Sequence, residues 1–276
     1  MIRRTFDTKG VKYASELAVF NTGNLLPILE WNHRHNIRVF RMTSCLFPWA
    51  SEYMLEELPD FEQICKNLKS AGNFAIKNGI RLSFHPGPFN ILTSTKDHVV
   101  KNTITDLAIH GKIMDLMGLP RNHWAKINIH IGASYGDREA AMIRWVENFS
   151  LLPDNVKSRL TVENDDRPGL FSTKDLYRGI YKRLGVPIVF DYHHHKFRND
   201  GESESESHQM AYETWGDVRP CFHYSESASE KEGANKKPNA HSDYIYDKIN
   251  DYGRNFDIVI EAKAKELALL EYRKIN

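Results

Sequence analysis

Histidines and carboxylates recur at the ends of short apolar runs along this chain. PIVFDYHHHKF (187–197) places Asp191 and three consecutive histidines directly after such a run. Other runs end at His85 in IRLSFHPG (80–87), His130 in KINIHIGA (126–133), Glu163 in LTVENDD (160–166), His223 in CFHYSES (221–227) and Glu261 in IVIEAKAKE (258–266). His241 lies in the polar segment EKEGANKKPNAH (230–241). Imidazole and carboxylate together suit Zn, Mn or Fe. Two or more such ions close together can activate water and stabilise an in-line phosphate displacement. One strand-end histidine would read as a solvated side chain. The repetition over successive runs points to a multinuclear metal site.

Within DYHHH, side-chain alternation lets Asp191 face the strand end. D-x-x-H then spans the following turn, which makes Asp191 and His194 the favoured ligand pair. His193 and His195 are left to orient carboxylates or to meet a substrate phosphate, and spacing does not choose between these.

The elements that must carry these residues are legible as a repeat. Strands are expected in the runs above and in IRVFRMTS (37–44). Helix-period sequence separates them: Phe61, Ile64, Cys65, Leu68 and Ala71 share one face, with Gly79 beyond as a C-cap. STKDL (172–176) carries a capping-box pattern, and its helix should end at Gly185; another helix should begin near Asp137 and carry Met142, Trp145 and Val146. Alternating strands and helices predict a parallel sheet. Their spacing of roughly 30–45 residues approaches the ~30 per unit of an eight-fold βα barrel. No GxGxxG follows any strand, which weakens an open dinucleotide-binding sheet. Seven strands are expected where a barrel needs eight. Residues before 37 read mainly as helix, from about Val11 to Asn36. The expectation is therefore α/β, one TIM (β/α)8-type barrel domain over 1–276 with its first strand missing or replaced. In such a barrel all the strand ends converge on one face.

Composition narrows the class. The chain has 276 residues and a net charge of +1, enough for a large core and no demand for a polyanionic partner. Cys45, Cys65 and Cys221 show no CxxC spacing and read as reduced thiols. No apolar run suffices to span a membrane, and MIRRTFDTKG has no apolar stretch after its charges, so a cytoplasmic (or nuclear) protein is expected and a secreted one is not. FRNDGESESESHQ (197–209) is acidic and serine-rich and reads as a solvated loop.

RLSFHPGPF (81–89), INIHIGASYGDREAA (127–141), LTVENDD, PIVFDYHHHKF, FHYSES, NAHSDYI (239–245) and FDIVIEAKAKE (256–266) resemble the UV damage endonuclease family in order and spacing. Its wider relatives are endonuclease IV and the xylose-isomerase-like barrels. The resemblance implies an endonuclease with up to three divalent metal ions, Mn2+ favoured and Zn2+ or Co2+ possible. Such an enzyme uses metal-activated water to nick double-stranded DNA 5′ to cyclobutane pyrimidine dimers and 6-4 photoproducts. By motif, the metal ligands would be His85, His130, Glu163, Asp191, His194, His223, His241 and Glu261. Glu163, His223 and Glu261 would also serve catalysis, with Lys263 at a scissile-strand phosphate. Pro88, Phe89, Tyr135, His193 and His195 would meet DNA, with Phe89 wedging beside an extruded lesion. Arg41, Lys196 and Arg198 are further candidates for phosphate contact.

Three features depart from the family pattern. Its opening strand and loop, with Gly-Tyr and a downstream Asn, have no counterpart here, unless Met1–Phe6 or another chain replaces the strand. Pro88 stands where Gln is usual and cannot donate to the bases opposite a lesion. Cys221 replaces a lysine, in Lys-x-His, that can become a carbamate near the metals. A monomer is expected. The competing readings are an abasic-site endonuclease, a sugar isomerase and an inactive DNA-binding relative.

Overall fold

The computed structural model describes residues Met1–Ile275. The chain divides into two compact units. The first comprises Met1–Ile91, Thr95–Ile129 and Phe149–Leu160; the second comprises Leu92–Ser94, His130–Asn148 and the chain from Thr161 onward.

In the first unit, α1 (Arg3–Gly23) and α2 (Leu25–Arg34) precede β1 (Val39–Met42). Then come α3 (Phe61–Lys77), β2 (Arg81–Phe84), α4 (Asp97–Met117) and the start of β3 (Ile127–His130). The α3 stripe forms as its periodicity predicts: Ile64, Leu68, Ala71 and Ala75 are buried. The chain leaves it at Gly79, whose φ of 63° is left-handed. Helices α3 and α4 meet at Gly72, where an added Cβ would lie 1.9 Å from the Met117 carbonyl oxygen. Strand β1 pairs in parallel with β2 from Val39↔Arg81 to Met42↔Phe84, and β2 pairs in parallel with β3 at Phe84↔Ile127. All four β2 residues are buried, as a parallel strand covered on both faces requires.

The second unit holds most of α5 (Arg138–Phe149) and β4 (Leu160–Glu163). It continues through β5 (Ile188–Val189), α6 (Tyr192–Phe197), α7 (Glu204–Glu213), β6 (Cys221–Tyr224), β7 (Asp257–Ile260) and α8 (Glu266–Ile275). Strands β4 and β5 are parallel, as are β6 and β7 in register from Cys221↔Asp257 to Tyr224↔Ile260. A parallel bridge between Asp191 and His223 joins β5 to β6. Among the described residues there are seven strands.

Three expectations change. Met1–Phe6 make no strand; α1 already begins at Arg3. The single helix from Val11 to Asn36 is two helices that break at Asn24, which caps one end and starts the next. The acidic segment 197–209 is not all loop. Ser203 Oγ accepts from the Glu206 amide, and the Glu206 carboxylate accepts from the Ser203 amide at 2.8 Å. That capping box starts α7, and the local bonds outweigh repulsion among the acidic side chains.

Candidate metal centre

The second unit assembles seven of the eight expected ligands at strand ends and the loops beyond. Glu163 ends β4 with its side chain buried. Strand β5 is two residues long because the side chain of Asn164 takes over its ladder. The Asp191 amide donates to Asn164 Oδ1 at 2.8 Å, and Asn164 Nδ2 donates to the Asp191 carbonyl at 3.0 Å. Asp191 then caps α6, its Oδ1 accepting from the His194 amide at 2.8 Å. That turn brings His194 Nδ1 to 3.3 Å from Glu163 Oε1. Glu163, Asp191 and His194 each offer one ligand atom, all within 4.8 Å of one another.

The other residues gather around Glu163. His223, on β6, places Nδ1 3.1 Å from Glu163 Oε2 and 3.3 Å from Glu261 Oε1. His130, the last residue of β3, has Nε2 3.9 Å from Glu163 Oε1. His241 comes from a loop tied back by its bridge to Ser227 and by the Ala228 amide, which donates to the Ala240 carbonyl at 2.7 Å. Its Nδ1 lies 2.9 Å from the Glu261 carbonyl and 3.9 Å from Glu261 Oε2. His85 follows β2 in the first unit, half-buried, its carbonyl accepting from Ser44 Oγ at 3.4 Å.

Several ring orientations are set by acceptors that cannot donate. His194 Nδ1 lies 2.9 Å from the Asn164 carbonyl, and His241 Nδ1 faces the Glu261 carbonyl. Both must therefore carry their proton on Nδ1, which frees Nε2 as the ligand nitrogen. The donor set fits a divalent cation of the Mn or Zn kind. Asp191 Oδ2 supports this independently: it is buried with no hydrogen-bond partner among the described residues, a costly state for a carboxylate oxygen unless a cation meets it.

The electrostatics agree. Burial works against charge on Glu163, yet His223 and His130 hold its carboxyl well below the usual range. Burial also opposes charge on His130, but Glu163 and the bond to Asp165 raise it to about 9. Asp191 is pushed up to about 7 by burial, against the pull of His194. Protons and a metal cation would therefore compete for the same carboxylates.

His193 and His195 turn inward from α6 and are buried. His193 Nε2 lies 3.2 Å from the Asn239 carbonyl, its ring edge-on to His241 at 5.1 Å. Burial lowers His193 to about 4 and lowers His195 as well, so neither presents a cation to phosphate. Arg198 is likewise buried, bound to Asp175, Asp200 and the Leu170 carbonyl, and is corrected from phosphate contact to loop anchor. Lys196 pairs with Glu230, and Lys263 Nζ lies 3.5 Å from Asp243. Cys221 is buried at the start of β6.

The two aromatic residues expected to meet DNA, Phe89 and Tyr135, are both exposed, one in each unit. Phe89 is 86% exposed beside Pro88. Tyr135 is 51% exposed and has a left-handed φ of 53°, a conformation rarely adopted by a bulky residue. The Arg144 guanidinium packs 5.5 Å from the Tyr135 ring centre, and Arg144 Nε donates to the Thr93 carbonyl at 2.9 Å.

Asn164 and Asp165 were not singled out from the sequence. The available signal was the alternation that puts Asp165 on the same side of the chain as Glu163. Both read instead as loop polarity beyond a strand.

Comparison with known proteins follows the same lines. A family model of UV-endonuclease UvdE matches residues 3–275. The UV DNA damage endonuclease of Bacillus mycoides (strain KBAB4) is 36% identical over 265 residues, 91% of this chain and 79% of that protein. That of Bacillus cereus (strain B4264) is 34% identical over 263 residues, with the same coverage. The crystal structure of SacUVDE superposes with a TM-score of 0.82 at 34% identity, covering 94% of this chain and 86% of that one. D-psicose 3-epimerase from Clostridium cellulolyticum H10 shares the fold at a TM-score of 0.56 and 15% identity, over 85% of this chain and 78% of that one. The parallel strands and these neighbours make the fold an α/β fold of TIM-barrel type. The chain belongs to the UV-endonuclease UvdE family of DNA repair endonucleases.

Proposed function

We propose that residues 1–276 act as one monomeric endonuclease domain that nicks double-stranded DNA on the 5′ side of cyclobutane pyrimidine dimers and 6-4 photoproducts. The observation that carries this reading is the convergence of Glu163, Asp191 and His194 ligand atoms within 4.8 Å, in a chain of this family. The metal ligands are His130, Glu163, Asp191, His194, His223, His241 and Glu261, with His85 added by its motif. Manganese is the favoured ion, with up to three bound. Divalent ions held there would supply an activated water and a counter-charge for the phosphate oxygens.

The chain's own residues do the rest. Glu163 lies within 4 Å of His130, His194 and His223 and is placed to serve more than one ion. Asp191 and Glu261 complete the negative charge that holds the ions. Lys263, 52% exposed in its side chain, is free to exchange Asp243 for a scissile-strand phosphate. Phe89 and Tyr135 offer ring faces to bases displaced at a lesion, where unstacking costs least. Pro88 beside Phe89 gives shape but no amide hydrogen for a base opposite the lesion. His193 steadies His241 and the 239–241 loop.

A duplex with one defined cyclobutane dimer, incubated with Mn2+ or EDTA beside an abasic duplex, tests the proposal. The expected result is a Mn2+-dependent cut immediately 5′ to the dimer, leaving 3′-hydroxyl and 5′-phosphate ends. Cutting of the abasic duplex alone would replace it with an abasic-site activity. Binding of the dimer duplex without a cut would mark an inactive relative.

A further inference from the structure

Asp165 has a geometry that no part of the metal reading uses. It lies just beyond Glu163 and is nearly fully buried. Its two carboxylate oxygens have separate partners. Oδ2 accepts from the Phe171 amide at 3.3 Å, while the Asp165 amide donates to the Phe171 carbonyl at 2.9 Å. This pair of backbone bonds closes the 165–171 loop and prevents the carboxylate from turning. Oδ1 is thereby aimed at His130, 3.1 Å from its Nδ1. On the other edge of the same ring, Nε2 faces Glu163 Oε1 at 3.9 Å.

We propose that Asp165 is a positioning residue that holds His130 as the Nδ1–H tautomer and presents its Nε2 to the metal centre. The inference rests on the metal reading above and deepens it. A carboxylate on the far nitrogen of a metal-binding histidine fixes ring orientation and raises basicity; losing such a partner costs typically 10–100-fold in metal affinity. His194 and His241 receive the same service from backbone carbonyls, which no side-chain substitution removes. His130, at the very end of β3, has a side chain for this partner, so the arrangement is open to mutation. Asp165→Ala removes the acceptor. Asp165→Asn keeps one oxygen, which can accept from Nδ1–H of His130, while its NH2 then replaces the oxygen that met the Phe171 amide.

The experiment compares the full-length parent, Asp165→Ala and Asp165→Asn without DNA. Mn2+ and Zn2+ affinities are measured by chelator competition, and the His130 tautomer by long-range 1H–15N correlation on metal-free protein at about pH 10, where the ring has lost its second proton, assigned with His130→Gln. The expected result is Nδ1–H at His130 in the parent, a mixed tautomer in Asp165→Ala, and about 10–100-fold weaker binding of at least one ion. Asp165→Asn should recover part of that loss, since one of the two acceptor oxygens remains. Unchanged affinity and tautomer in Asp165→Ala of native circular dichroism would overturn the positioning role and leave Asp165 as a loop tie. His130 carrying Nε2–H in the parent would overturn it as well. A parent that binds neither ion would overturn the metal reading, and this role with it.

Discussion

The two ends of β4 bury opposite charges and settle them in opposite ways. Arg159, just before the strand, is fully buried. Its guanidinium donates to the carbonyls of Pro120 at 3.0 Å and Leu119 at 2.8 Å, and to Asp115 Oδ1 at 2.8 Å. Arg81, at the start of β2, likewise donates to the carbonyls of Trp124 and His123. Glu163, four residues after Arg159, is faced by His130, His194 and His223, and its neighbour Asp191 keeps one oxygen without a hydrogen-bond partner among the described residues. At the strand starts, fixed backbone acceptors complete the charge within the fold. At the strand ends, the charges are gathered on one another, where the proposed cations would complete them. On the proposed reading the first arrangement contributes stability and the second function, the division expected between strand starts and strand ends in such a fold.

Substitutions at the two ends should therefore separate the two properties. Glu163→Gln gives the largest effect on activity: Mn2+-dependent nicking falls to the level of the EDTA control, while the metal-free protein, having lost the pairings to His223 and His130, melts lower but still cooperatively. A Glu163→Gln protein that still nicks would break the contrast. Arg159→Met should do the reverse. It leaves the carbonyls of Leu119 and Pro120 without their donor, at about 1–3 kcal/mol each in urea unfolding, while Asp115 keeps Arg121 and Asn155. Nicking per folded molecule should be unchanged.

His208 sharpens the comparison, because it settles its charge by remaining neutral. Burial among Phe190, Tyr192, Phe222 and Phe256, and then Arg254, lowers it to about 3. Its folded value lies below the unfolded value, so its contribution is complete above about pH 6.5 and is lost as pH falls from there toward 3. The loss at pH 4.5 should be on the order of 3 kcal/mol. His208→Phe should flatten the acid limb of a melting-temperature profile; an unchanged limb would show that His208 is already charged in the fold. Asn164→Ala should have the smallest effect, about 1–3 kcal/mol for the bonds it takes from Asp191. Unlike Arg159→Met, it should also weaken metal binding, because Asp191 loses its fixed placement.

Much of the candidate site was legible because a strand and its end have a simple signature. Glu163, Asp191, His223 and Glu261 follow apolar runs, and alternation predicts which of their neighbours face the same way. Arg81, Lys126 and Arg159 were not legible as core. A charged residue in sequence reads as solvated, and its burial depends on carbonyls supplied by distant turns such as 119–124. His193 and His195 were left open between two tasks by spacing, and only the sense of the α6 turn sent both inward. The start of α7 at Ser203 was missed although its capping box is local, because acidic composition was weighed over the cap.

By itself the sequence determined the order of elements, the family and the set of chemically competent residues, since periodicity, turn residues and motif spacing are local. Tertiary structure decided which nitrogen of His194 and of His241 meets a carbonyl, that Asp165 faces His130, and that one Asp191 oxygen has no hydrogen-bond partner among the described residues. Those outcomes depend on hydrogen-bond acceptors contributed by other strands and loops at distances of about 3 Å. No local pattern encodes contacts that exist only once the chain has closed on itself.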